Sequence, residues 1–319
     1  MDKIYSIACG TAYHAGLIGK IAIEKLVGIP VEVDVASEFR YRDPLLQPNQ
    51  LAVVISQSGE TADTLAGLRM ARAKGLKVLA ITNVVGSSVS READRVMYTW
   101  AGPEIAVAST KAYVTQLIAL YLVAIYLGQV RETLQPEKAA ELVEGLQALP
   151  EQLKQVLSED SIASIRDYCE HLVNWDNAFF IGRHMDYPVA MEGSLKLKEI
   201  SYIHAEACAA GELKHGPLAL IEEGVPVIAL VTQEAILDKT LSNIQVVNAR
   251  GGAVFAITRE DFEAVSSQVE SLFYLPVVCD TLAPVLSVVP TQLIAYYTAI
   301  ARGCSVDKPR NLAKSVTVE

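Results

Sequence analysis

Residues 51–64 read LAVVISQSGETADT, and the fold turns on how that stretch is parsed. LAVV is a short apolar run of the kind that makes a buried strand, and over residues 65–73 the apolar positions recur with helical spacing. Between them Ser56, Ser58, Thr61 and Thr64 crowd around Gly59. A strand that runs through a Gly turn into a helix aims unpaired backbone N–H groups and the positive end of the helix dipole at one spot. That spot suits an anion, phosphate above all. Any single hydroxyl here could be an ordinary helix cap; the set together predicts an anion cradle. The stretch has neither the Lys nor the Gly spacing of a Walker loop, so a nucleoside triphosphate is not indicated.

The strand-to-helix unit recurs on either side. YSIA, a helix over 13–26, VEVDV, LAVVIS, a helix, KVLAIT, VMYTW and a long apolar helix follow one another as in a parallel sheet covered by helices on both faces. After the polar segment 131–160, which reads as helical and linking, the pattern restarts with AFFIG. The restart is a repeat. GLKVLAIT from Gly75 is answered by GGAVFAIT from Gly251, and TQLIA from Thr115 by TQLIA from Thr291, both at an offset of 176 residues. The chain is therefore expected to be α/β, with two related doubly wound parallel-sheet domains: 1–130, a helical linker 131–160, 161–290, and a final helix and tail over 291–319. The same offset lays Thr232, Gln233, Glu234 and Ala235 on Ser56, Gln57, Ser58 and Gly59. A Glu where the anion would sit repels it, so only the first domain is expected to bind phosphate.

With 319 residues, 51% of them hydrophobic, and a mean hydropathy of +0.28, the chain can bury a large core. A formal net charge of -10 argues against a nucleic-acid surface. Cys9, Cys169, Cys208, Cys279 and Cys304 are scattered without zinc or dithiol spacing, and are expected to be reduced, mostly buried thiols of a cytoplasmic protein. No signal peptide is legible at Met1, where charged residues give way at once to a strand. Segments 112–130 and 281–301 are long and uncharged enough to raise the question of a membrane. Thr115 and Gln116 interrupt the first, Pro284 and Pro290 the second, and buried helices are the better reading, with no membrane partner.

Further polar clusters fall where strands should end and helices begin, the place where open α/β sheets bind ligands. In ACGTAYHAG, Cys9, Gly10 and Thr11 follow YSIA; in VASTKAY, Ser109 can cap the apolar helix, whereas Lys111 opposes its dipole unless an anion lies nearby. A helix beginning near Tyr187, YPVAMEGSLKLKEISYIHAEA, puts Glu192, Lys196, Glu199, Ile203 and Glu206 within about 40° of one line. A solvated face with Glu192–Lys196 pairing would explain that line. However, AAGELKHGPLALI follows and presents Glu212, Lys214 and His215 together. Carboxylate, ammonium and imidazole are what proton transfer beside a carbonyl requires. The sequence closes with DKPRNLAKSVTVE, in which Pro309, Arg310, Asn311 and Lys314 interleave with Leu312 and Ala313; such a tail could fold over a pocket and deliver a Lys.

Together ACGTAYHAG, SQSGETADT, EIAVASTKAY, EGSLKLKEISYIHAEACAAGELKHGPLALI and DKPRNLAKSVTVE resemble, over essentially the whole chain, the isomerase half of the glutamine:fructose-6-phosphate amidotransferases. SQSGET is general to sugar isomerase (SIS) domains; the last two motifs are far more specific. The resemblance implies a tandem pair of SIS domains that dimerises and a tail over the active site. It implies conversion of fructose 6-phosphate and ammonia to glucosamine 6-phosphate, or to glucose 6-phosphate without ammonia, with no metal or redox cofactor. Carried onto matching positions, Ser56, Gln57, Ser58 and Thr61 hold the phosphate with Ser109 nearby, and Thr11, Val107 and Ala313 line the sugar. Lys314 forms the Schiff base, Glu199 moves the proton between C1 and C2, and Lys196 and Glu192 assist. His215 opens the ring from the neighbouring subunit.

The resemblance has gaps. The family carries an N-terminal glutaminase domain, which these residues do not include; a piece excised from a longer protein is the favoured explanation and a natural stand-alone protein the other, and no glutaminase activity is expected of these residues. Ala12 stands where a Ser is common, GRHMDYP replaces a GRG-type turn, and Cys208 replaces an aromatic. Two other readings use some of the same parts: a SIS module that senses a sugar phosphate without reacting, which would not need Glu199, His215 and Lys314 together, and a SIS deglycase or deaminase.

Overall fold

The computed structural model describes residues 1–318 and divides into two compact units, residues 1–143 together with the tail from Ala313, and residues 144–312. The first unit runs β1 (Ile4–Ala8), α1 (Gly10–Val27), β2 (Val31–Val35), α2 (Ala36–Phe39), β3 (Leu51–Ser56), α3 (Ala62–Ala73), β4 (Lys77–Thr82), α4 (Ser88–Glu92), β5 (Arg95–Tyr98) and α5 (Lys111–Val130). Its strands form one parallel sheet in the order β2-β1-β3-β4-β5. All five residues of β1 are buried, as strands covered on both faces must be. Tyr5, Ile7, Val54 and Leu68 pack together in the core on one face.

Helix α6 (Pro136–Val156) carries the division between Val143 and Glu144. The second unit continues with α7 (Glu159–Leu172), β6 (Asn177–Gly182), α8 (Asp186–Ser201), β7 (His204–Ala209), 3-10 turns Ala210–His215 and Pro217–Leu220, β8 (Pro226–Val231), α9 (Leu237–Asn248), β9 (Ala253–Arg259), β10 (Ser271–Leu275) and α10 (Ala283–Ala301). Its sheet is also parallel, in the order β10-β9-β8-β6-β7. Taken from the β7 edge, this is the first sheet's order again, and β9 and α10 fall where the 176-residue offset puts them from β4 and α5. The repeat is real at the level of topology.

Several expectations shift. The division between the units falls inside α6, within the segment 131–160 read as a helical linker, whereas the final helix starts at Ala283 rather than 291 and the tail packs with the first unit. The helix from Tyr187 stops at Ser201, where Tyr202 takes a left-handed conformation (φ 62°). The residues after it alternate as a strand, so Ile203 and Glu206 do not share a helix face with Glu192. Of the five cysteines, only Cys169 and Cys208 are buried, and Cys279 is exposed. Helices α5 and α10 are long and apolar enough to cross a membrane, yet 56% and 72% of their most apolar windows are buried inside the protein, as in core helices.

Candidate active site

In the first unit β1 and β3 lie side by side while their connections lead to opposite edges of the sheet, the switch point at which such folds bind ligands. Thr11, second residue of α1, leaves β1 there, and the loop from Ser56 leaves β3. Ser56 Oγ accepts the Gly59 N–H at 3.0 Å and lies 3.3 Å from Thr61 Oγ1, and Ser58 Oγ accepts the Glu60 N–H at 3.2 Å. The Gln57 carbonyl accepts the Asn83 N–H at 3.1 Å, pinning the loop to the end of β4. Gly59 is required twice over: its φ is +68°, and a Cβ there would lie 2.1 Å from Ser87 Oγ. Thr61 occupies the N-cap of α3 without making a side-chain cap bond, so capping does not account for its hydroxyl.

The tail joins this end of the sheet. Ala62, the first residue of α3, donates its N–H to the Val316 carbonyl at 3.1 Å. Lys314 Nζ donates to Ser109 Oγ at 3.0 Å and to the Val107 carbonyl at 3.4 Å. The structure thus brings Val107, Ser109, Ala313 and Lys314 into one unit with Thr11, Ser56, Gln57, Ser58 and Thr61. A residue that the sequence pattern did not single out also belongs here. Glu104 Oε1 accepts the Thr110 N–H at 2.7 Å, where α5 starts, and Glu104 Oε2 lies 3.8 Å from Lys314 Nζ.

In the second unit, α8 aligns Glu192, Lys196 and Glu199, but not as a solvated face. Glu192 is 0% and Lys196 1% exposed. Lys196 Nζ stands 2.5 Å from Glu199 Oε2 and 3.4 Å from Glu192 Oε1. Burial pulls the ammonium's pKa down, but the two carboxylates outweigh it, and the net shift is upward. Lys196 is therefore a fixed positive charge holding Glu199, whose side chain keeps 20% of its surface open. His215 closes the turn Ala210–His215 and is exposed, as are Glu212 and Lys214.

The counterpart of the cradle in the second unit is closed by the chain itself. Asp186, buried at the start of α8, accepts the Thr232 N–H at 2.9 Å and the Thr232 hydroxyl at 2.5 Å. Burial pushes its carboxyl up to about 7, opposed by the Thr232 bonds and helped by Asp280. Thr232 is the counterpart of Ser56, so a built-in carboxylate stands where an anion would be held. Glu234, the counterpart of Ser58, is exposed. The signal was available, since the same offset lays Asp186 on Gly10, which has no side chain to fill the position. Among the described residues, no group of three or more His, Cys, Asp or Glu could hold a metal.

Comparison with known proteins agrees with this fold. The SIS domain family matches residues 1–126 and 171–302. The glutamine–fructose-6-phosphate aminotransferases (isomerizing) of Symbiobacterium thermophilum and Clostridium tetani are 61% and 58% identical over 319 residues. The match takes in 100% of this chain but 52% of each relative, so the chain spans about half the length of the curated relatives it matches. Among solved structures, the C-terminal domain of glucosamine-fructose-6-phosphate aminotransferase from Francisella tularensis superposes with a TM-score of 0.92 at 42% identity, covering 97% of this chain and 86% of that one. A glucosamine-6-phosphate deaminase from Thermotoga maritima superposes at 0.82 over 99% of this chain and 91% of that one, but at 24% identity that likeness shows the fold alone. The chain belongs to the SIS domain family, as a tandem pair of the kind that forms the isomerase half of the glutamine–fructose-6-phosphate aminotransferases.

Proposed function

We propose that this chain is a phosphosugar ketose–aldose isomerase that converts fructose 6-phosphate and ammonia into glucosamine 6-phosphate and water, and fructose 6-phosphate alone into glucose 6-phosphate. The observation that carries the reading is the lysine of the tail, Lys314, bonded to Ser109 within the unit that holds the SQSGET loop. The phosphate sits on Ser56, Gln57, Ser58 and Thr61, with Ser109 close by, and supplies binding energy remote from the reacting carbons. Thr11, Val107 and Ala313 line the sugar. His215, from a second copy of the chain, opens the ring. The Lys314 amine adds to the C2 carbonyl and water leaves, giving an imine that makes the C1 hydrogens acidic. Ammonia then takes the place of Lys314 at C2. Glu199 removes a C1 proton to form the enolamine and returns a proton to C2, while Lys196, steadied by Glu192, keeps Glu199 ionised and oriented. Ammonia comes from a glutaminase domain elsewhere in the full-length protein. The working compartment is the cytoplasm, and no metal or redox cofactor takes part.

The test is direct. The purified chain is incubated with fructose 6-phosphate and ammonium, and glucosamine 6-phosphate is measured; a folded protein that binds the ketose and turns over nothing refutes the reading. Borohydride should trap the ketose on Lys314, and Lys314→Ala should abolish the trapping. Persistent trapping in that variant excludes Lys314 as the imine-forming group.

A further inference from the structure

We propose that Glu104 is the fixed counter-ion of Lys314, facing its ammonium at rest and, on the functional reading above, its protonated imine during turnover. Glu104 lies in the loop before α5, and its side chain is 3% exposed. One carboxylate oxygen is committed to the fold through the Thr110 N–H at 2.7 Å and the Thr110 hydroxyl at 3.4 Å. The other, Oε2, is buried, has no hydrogen-bond partner and lies 3.8 Å from Lys314 Nζ. A buried carboxylate oxygen left unbonded is costly, and the cost is offset where a cation stands opposite. Lys314 bonds Ser109 and Val107 on the same loop, so this one segment supplies a carbonyl, a hydroxyl and a negative charge to a single amine.

Lys111 stands at the start of α5, and Glu60 and Asp63 flank Ala62, whose N–H bonds the tail. Both carboxylates are occupied elsewhere: Glu60 accepts the Ser88 N–H at 2.8 Å, and Asp63 pairs with Arg40 at 3.4 Å. Glu104 is thus a positioning residue. It takes no proton and forms no bond to the sugar, but it sees the same single positive charge before and after condensation, so imine formation there leaves no buried carboxylate unmatched. The motif EIAVASTKAY then has a rationale for its first residue as well as for its Ser109.

The experiment uses the full chain with Glu104→Gln and Glu104→Asp. Competitive acetylation of Lys314 by acetic anhydride, read from the mass of its peptide across pH, gives the midpoint at which the amine becomes free. Removing a carboxylate this close should lower that midpoint by about one unit or more in Glu104→Gln, so that at a pH below both midpoints Lys314 reacts about tenfold faster. Glu104→Asp, which keeps the charge, should remain near the parent, and inorganic phosphate should bind all three proteins alike. An unchanged midpoint in Glu104→Gln, or an equal shift in Glu104→Asp, overturns the proposal. Acetylation needs no sugar. If borohydride trapping fails in the parent while the midpoint still shifts, the imine role of Lys314 falls and the counter-ion stands.

Discussion

Gly59 sits where left-handed backbone and a neighbouring hydroxyl both forbid a side chain, and its N–H is the donor that fixes Ser56 Oγ. Gly59→Ala should therefore cost about 1–3 kcal/mol of stability in urea unfolding and weaken inorganic phosphate binding about tenfold or more. A variant that binds phosphate like the parent would detach the loop from the anion. On α8 the charges are interdependent in another way. Lys196→Met leaves Glu192 buried without its cation and should cost about 3–5 kcal/mol, with the added Glu192→Gln recovering part of the loss. At this scale the sequence was informative wherever residue type implied chemistry. The surplus hydroxyls of SQSGET and the carboxylates of α8 could be picked out from spacing, whereas the Lys of the tail stood out only by the tail's composition and took its role from the family resemblance. Burial could not be, which is why the line through Glu192 and Lys196 was open to reading as a solvated face although both are enclosed. Glu104 was hidden because a single Glu in a loop carries no pattern; its meaning comes from a lysine far along the chain.

Helix α8 shows what an element needs in order to carry such charges. It packs against α10 and the sheet, and a Cβ on Gly193 would stand 2.8 Å from both the Phe180 ring and Thr291 Cβ. Gly193→Val should therefore lower the urea midpoint by the equivalent of about 1–3 kcal/mol, since overpacking against fully buried Phe180 outweighs the helical preference that any side chain gains over Gly. A neutral result would mean that α10 yields easily. The start of α8 was legible to within a residue, its end was not. Neither Gly nor Pro marks the stop; Tyr202 adopts the left-handed turn, and the change from helical to alternating pattern in HAEACA is the sole cue. Strands β1, β3, β4, β6 and β9 were legible because covered parallel strands read as apolar runs.

Across the whole molecule the two sheets share one strand order but treat their switch points oppositely, one left open at Gly10, the other filled by Asp186. That difference should be visible in stability against pH. The Asp186 carboxyl titrates near 7 when folded against an ordinary value of 3.8, so the folded protein holds the extra proton between those values and stability falls as pH rises through that window. Asp186→Asn should flatten the fall and leave the variant more stable than the parent above pH 7, as read from urea midpoints at a series of pH values. A parallel decline in parent and variant would exclude Asp186 as its source. The repeat was legible from two short words at one offset, and with it the topology. That the tail would cover a site was expected from its composition and the family resemblance; the particular bond from Ala62 to Val316 was not legible, because all of residues 144–312, which lie between them in the chain, belong to the other unit.

That connectivity has a consequence for how the protein is made. The ribosome releases β1 to β5 and the SQSGET loop early, but Lys314 and Val316 emerge only after residues 144–312 have been translated. A nascent chain therefore passes through a period in which the anion loop can close while the amine is still unmade. On the proposed function the reactive group is the late arrival, and a message that stalls within the second unit makes the Ser56–Thr61 loop without ever making Lys314.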